Sequence, residues 1–130
     1  WQCAAALAPN KARPHIQLAR AASPAEAEAI LLSAVEKFPL NAEVWNELGQ
    51  VLLKQQRRND ALGAFGRALA IAPGDGKLLN NRGVALAMLG QREAAIADFR
   101  RAVAADSCLA DAHENLRKLG QQAAMPSDCR

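Results

Sequence analysis

Small and apolar residues recur along this chain at one fixed interval. Gly49 and Gly83, Leu52 and Leu86, Ala61 and Ala95, Phe65 and Phe99, and Ala68 and Ala102 each stand 34 positions apart. One step back, Ala27, Leu31, Ala34 and Pro39 pair with Ala61, Phe65, Ala68 and Pro73. One step forward, Leu79 and Arg82 lead to His113 and Leu116. Polar positions follow the same interval, with Arg58 matching Arg92 and Arg67 matching Arg101. Such a period marks repeated supersecondary units, each burying its apolar face on its neighbour.

The punctuation between these positions predicts short helices. Ser23-Pro24-Ala25-Glu26 reads as a capping box with Pro at the first helical position, opening a helix that runs to about Lys37. Pro39 stops it, because Pro supplies no amide and restricts Phe38. A second helix covers about 42–55, and Asn59 is the expected N-cap of a third over about 60–72. Pro73-Gly74-Asp75-Gly76 makes a turn. Helices then follow over about 77–89, closed by Gly90 as C-cap, over 92–105, and over about 109–121. Residues 14–22 read as a shortened first helix of a degenerate unit, and 122–130 as a frayed tail. None of these helices is long enough to be stable alone, so stacking must hold them.

Composition points the same way. Hydrophobic residues make up 51% of the 130, yet aromatics are only 4%. Ala and Leu dominate the apolar set, which favours helices over strands and makes the chain all-α. The length suits one domain with a continuous core. Arg dominates the basic residues; it outweighs Lys and, with the abundant Ala, hints at a GC-rich bacterial source.

Residues 42–75 resemble the tetratricopeptide repeat (TPR) pattern: Trp45, Leu48, Gly49, Leu52, Ala61, Phe65, Ala68 and Pro73 fall on its eight signature positions, with only Leu52 departing from the usual aromatic. Residues 76–109 resemble it less fully, since Arg82 replaces the expected Leu and Ser107 the expected Pro. The resemblance implies a right-handed α-solenoid of stacked antiparallel helix pairs, a TPR-like superhelix. It divides the chain into a degenerate segment 1–22, a partial repeat 23–41, repeats 42–75 and 76–109, a capping helix 110–121 and a tail 122–130. Gly49, Ala61 and Ala68 are small enough to let paired helices approach to about 8–10 Å. Trp45, Leu48, Leu52 and Phe65 fill the space between neighbouring pairs. Arg117 occupies the Gly49 and Gly83 position in the last unit, which is acceptable where no second helix follows and a solvent-facing cap is needed.

The resemblance also implies where function lies, because the first helix of each pair lines a concave groove. That face carries Glu43, Asn46, Gln50 and Lys54 with Leu53 adjoining, then Lys77, Asn80, Val84 and Met88 with Ala87 adjoining, then Asp111, Glu114 and Lys118. Asn46 and Asn80 can hold a peptide backbone whatever its side chains, Met88 adapts to apolar partners, and Asn81 and Asn115 extend the polar row. The expected partner is a protein or peptide segment held by a non-enzymatic scaffold or adaptor; a self-associating structural module (a homo-oligomer) or the regulatory domain of a larger protein are the alternatives. Relatives that bind chaperone C-termini clamp a carboxylate with Lys, Arg and Asn. Here Asn46, Gln50, Asp111 and Asn115 stand where much of that clamp would sit, and Asp111 would repel the anion.

Other classes find little support. The net charge of +3 comes from Arg57, Arg58, Arg67, Arg92, Arg100 and Arg101 interleaved with Asp60, Glu93 and Asp98, as on solvated faces. Nucleic acid is not an expected partner without aromatics to stack bases. No stretch reaches the roughly 18 apolar residues of a membrane span, so membrane insertion is not expected. The start at Trp1 carries no basic n-region, so it does not read as a signal peptide, and a start without Met is what a processed fragment is expected to show. Cys108 and His113 lack further ligands for a metal, His113 occupies a core position, and Gly74-Asp75-Gly76 lacks the spacing of a phosphate loop. No catalytic set, cofactor, metal or small-molecule substrate is expected. Cys3, Cys108 and Cys129 are expected as free thiols in a reducing compartment such as the cytoplasm; a Cys108–Cys129 bridge is the alternative, which would indicate the periplasm.

Overall fold

The computed structural model describes residues 11–121 together with Pro126 and Cys129. Residues 1–10 and most of the 122–130 tail, including Cys3, lie outside it. Seven helices and no strand occur among the described residues. They are α1 (Arg13–Ala21), α2 (Pro24–Lys37), α3 (Ala42–Lys54), α4 (Arg58–Ile71), α5 (Gly76–Met88), α6 (Arg92–Ala105) and α7 (Ala110–Lys118). Each helix packs against the next in the chain, and α5 also touches both α3 and α7, as first helices of successive units do. The molecule is an α-solenoid.

Local chemistry sets the boundaries. The Ser23 hydroxyl accepts from the Glu26 amide and donates to the Glu26 carboxylate, closing the start of α2. Asn41 and Asp75, 34 positions apart, cap α3 and α5 identically. Asn41 Oδ1 accepts from the amides of Glu43 and Val44, and Asp75 Oδ1 from those of Lys77 and Leu78. Asn59 is not the cap expected of it, because α4 starts at Arg58 and has no side-chain cap. The reason lies at the preceding helix end. Gln56 adopts φ 65°, the Gln56 amide donates to Leu53 O, and the Arg57 amide donates to Leu52 O, a Schellman closure that swings the chain directly into α4. Gly90 makes the same closure after α5, and Gly120 after α7, which ends sooner than expected, at Lys118.

The glycines at 49 and 83 have equivalent surroundings. A Cβ on Gly49 would lie 2.5 Å from the Phe65 ring, and one on Gly83 would lie 2.6 Å from the Phe99 ring. Phe65 and Phe99 are fully buried, and each ring is seated on the glycine of its own helix pair; Phe65 also belongs to a core cluster with Ala27, Leu31 and Ala85 of the neighbouring units. Trp45 does bridge units: it packs against two clusters of the core, its indole N–H donates to Pro39 O at 2.9 Å, and Arg67 lies 5.2 Å over its ring. His113, two intervals on, is buried and its Nε2 meets Ser107 O at 2.8 Å, the same six-residue reach in the last unit.

Two expectations need correction. Asp98 is not on a solvated face: it is 3% exposed and forms a bidentate pair with Arg82, Nε to Oδ2 at 2.7 Å and Nη2 to Oδ1 at 2.9 Å. Arg82 and Asp98 together replace the Leu48–Ala64 combination of the preceding unit, which explains the missing signature Leu. The thiols of Cys108 and Cys129 are not free, because the two form a disulfide with Cα atoms 5.2 Å apart. Cys129 is thus fixed to the turn that precedes α7.

Candidate functional site

The first helices α3, α5 and α7, with the end of α1, enclose a cavity of about 460 Å³. Its lining includes seven of the residues expected there: Glu43, Asn46, Gln50, Lys77, Asn80, Asn81 and Asp111. They converge because positions one, four and eight of a helix share a face, and stacking sets those faces side by side.

The other six fall elsewhere. Leu53, Val84 and Ala87 are part-buried against the core. Met88 is exposed, Lys54 lines a smaller neighbouring cavity, and Glu114 pairs with Arg117 on its own helix. The apolar strip expected beside the asparagines therefore does not line this cavity.

The asparagines are not isolated. Asn81 Nδ2 donates to Asn46 Oδ1 at 2.7 Å, and Asn115 Nδ2 donates to Asn80 Oδ1 at 2.9 Å. Each pair links one first helix to the next and uses one amide oxygen and one amide nitrogen. Whichever way round a pair sits, one whole NH2 group and one whole carbonyl oxygen remain unused, besides the second N–H of the donating amide. Asn80 is only 7% exposed, it lines the cavity, and its Oδ1 is the acceptor of the Asn115 bond. Its NH2 group takes no part in that bond and can donate to an occupant of the cavity.

Sequence reasoning missed six lining residues, Ala42, Asp75, Leu78 and Leu109 at the helix starts and the pair Arg20 and Glu47. Arg20, at the end of α1, makes a bidentate pair with Glu47 of α3, at 3.1 and 2.6 Å. The hydrogen bond to Glu47 holds the Arg20 guanidinium above its ordinary pKa. Glu47 is buried, and the pair closes one end of the groove. The only cue in the sequence was that a buried carboxylate on an apolar helix face requires a cation, and the supplier lies 27 residues away. Counting full charges, the cavity carries Glu43, Glu47, Asp75 and Asp111 against Arg20 and Lys77, a negative balance in a chain of net charge +3.

Among the described residues no three His, Cys, Asp or Glu side chains gather as metal ligands, and the Cys108 sulfur is bonded to Cys129. No described helix is long and apolar enough to cross a membrane.

Stacked antiparallel helix pairs with a polar groove along the first helices define a helical-repeat protein. The tetratricopeptide repeat model matches residues 17–76 and again 47–107, and the chain belongs to the tetratricopeptide repeat family. Among curated proteins none matches it. It is similar to the crystal structure of MamA, with TM-score 0.76 and 18% identity, over 86% of this chain and 68% of that one. It is similar to the first TPR of Spaghetti (RPAP3) bound to the HSP90 peptide SRMEEVD, with TM-score 0.74 and 20% identity, over 88% and 90%. It is also similar to YrrB, described as a TPR protein with an unusual peptide-binding site, with TM-score 0.69 and 24% identity, over 72% of this chain and 48% of that one. At these identities the likeness carries the fold. The chain spans about half the length of the YrrB structure.

Proposed function

We propose that the chain is a non-enzymatic adaptor that holds an extended segment of a partner protein in the groove. The observation that carries this reading is the row of Asn46, Asn80 and Asn81 lining one cavity, tied across units by hydrogen bonds that leave the NH2 groups of Asn46 and Asn80 unused. Alternating donors and acceptors spaced along the groove suit a peptide backbone, which offers both at every residue. The contact set we assign is Asn46, Gln50, Asn80 and Asn81 for the backbone, with Glu43, Lys77 and Asp111 at the rim. Peptide complexes of relatives, such as the RPAP3 domain with its HSP90 peptide, support the mode. The acidic lining argues against a carboxylate-terminated ligand of that kind here. The Cys108–Cys129 bridge supports an oxidising compartment such as the periplasm, and the Ala-rich, Arg-over-Lys composition supports a bacterial source.

Selection from a random peptide library, followed by amide chemical-shift mapping, tests the reading. Selected peptides should shift the side-chain amides of Asn46 and Asn80. Asn46→Ala with Asn80→Ala should abolish binding, and Met88→Glu should leave it intact. Selected peptides that shift only residues outside the groove would refute it.

A further inference from the structure

Glu43, Lys77 and Asp111 are equivalent residues, 34 positions apart, each second in its helix (α3, α5 and α7). All three are exposed, and all three line the cavity. The rim therefore presents a row of charges running negative, positive, negative. The remaining charged groups of the cavity are already engaged: Arg20 with Glu47, and Asp75 with the amides that begin α5. Below the rim, Asn80 lines the same cavity, and its NH2 group, not used in the bond from Asn115, can donate to an occupant lying along the row.

Neighbouring helices in contact stand about 8–10 Å apart. An extended chain in the polyproline conformation advances about 3.1 Å per residue with three residues per turn. Three residues thus cover about 9 Å and return a side chain to the same face, which matches one step of the rim. We propose that the groove selects a segment with basic, acidic and basic side chains at positions i, i+3 and i+6, meeting Glu43, Lys77 and Asp111 in turn. The proposal rests on the groove reading above and adds the charge pattern of the partner. The occupant is another protein rather than a second copy of this chain, because no two Lys or Arg residues in this sequence stand six apart.

Two capped heptapeptides, Lys-Pro-Ala-Glu-Pro-Ala-Lys and its charge inverse Glu-Pro-Ala-Lys-Pro-Ala-Glu, test this by titration into isotopically labelled protein. The first should bind roughly tenfold more tightly, the sum of three exposed pairs, and the preference should fade as salt is raised. In the variant Glu43→Lys, Lys77→Glu, Asp111→Lys the preference should invert. Equal affinities, with the Asn46 and Asn80 amides still shifting, overturn the charge pattern and leave the groove reading standing. Silence from both heptapeptides, under conditions where library-selected peptides shift those amides, also overturns it. Library peptides that bind without moving those amides remove the groove reading, and this proposal with it.

Discussion

Replacing Arg82 by Leu should cost far more than replacing both Arg82 and Asp98. The Asp98 carboxylate is 5% exposed and draws both of its close hydrogen bonds from Arg82, with Arg101 at 3.6 Å the remaining cation. Arg82→Leu leaves that carboxylate desolvated and nearly unpaired, a change worth about 3–5 kcal/mol, and we expect the lower end because Arg101 persists. Asp98→Ala is milder, at about 1–2 kcal/mol. The Arg82 side chain is 27% exposed and can carry its guanidinium to water, and Ala is the better helix former. The double variant should lie within about 1 kcal/mol of the parent, since well-packed apolar replacements of buried ion pairs are often neutral. Neighbouring units already hold the apolar version: Leu48 and Leu116 stand at the Arg82 position and Ala64 at the Asp98 position, all buried. The coupling energy is thus about 3 kcal/mol, measurable by urea denaturation of the four proteins followed by circular dichroism. A coupling below about 1 kcal/mol would refute the account of Arg82 and Asp98 as one buried unit.

Three further outcomes follow from the same structure. Gly49→Ala should destabilise by about 2–3 kcal/mol, because the new methyl must displace the buried Phe65 ring, whereas Gly63→Ala, with nothing within 4 Å, should stabilise by about 0.5–1 kcal/mol; thermal denaturation of both distinguishes the signs. Glu28 has its pKa lowered by the hydrogen bond from Gln55 and then by that from Arg57, so its contribution to stability is present above the unfolded-state value and is lost as pH falls through the folded one. Urea midpoints measured from neutral to acid pH should therefore fall less steeply in Glu28→Gln than in the parent. Reducing the Cys108–Cys129 bridge, which closes a loop with a sequence separation of 21, should cost about 3 kcal/mol, seen as a melting temperature that drops on adding dithiothreitol and does not respond in Cys108→Ser.

The solenoid was legible because its determinants are local or periodic. Ser23, Asn41 and Asp75 are caps read within three residues, and Gly49 and Gly83 announce a close approach simply by recurring. Asn59 misled for the complementary reason: it is a good cap in isolation, but Gln56, in a conformation usually left to glycine, had already redirected the chain. Nothing about Gln marks such a position; its match to Gly90 at the repeat interval was the one available cue.

The site was half legible. The chain by itself decided that helices form, where they break, and that Glu43, Asn46, Gln50, Lys77, Asn80, Asn81 and Asp111 share one face, because helical and repeat periods are properties of spacing. Only the tertiary structure decided that Arg20 reaches Glu47, that Asp98 is buried with Arg82, that the asparagines pair across units, and that Cys129 returns to Cys108. Each of these links residues from 16 to 35 positions apart. Which long side chain meets which depends on distances and burial that exist only once the helices have stacked.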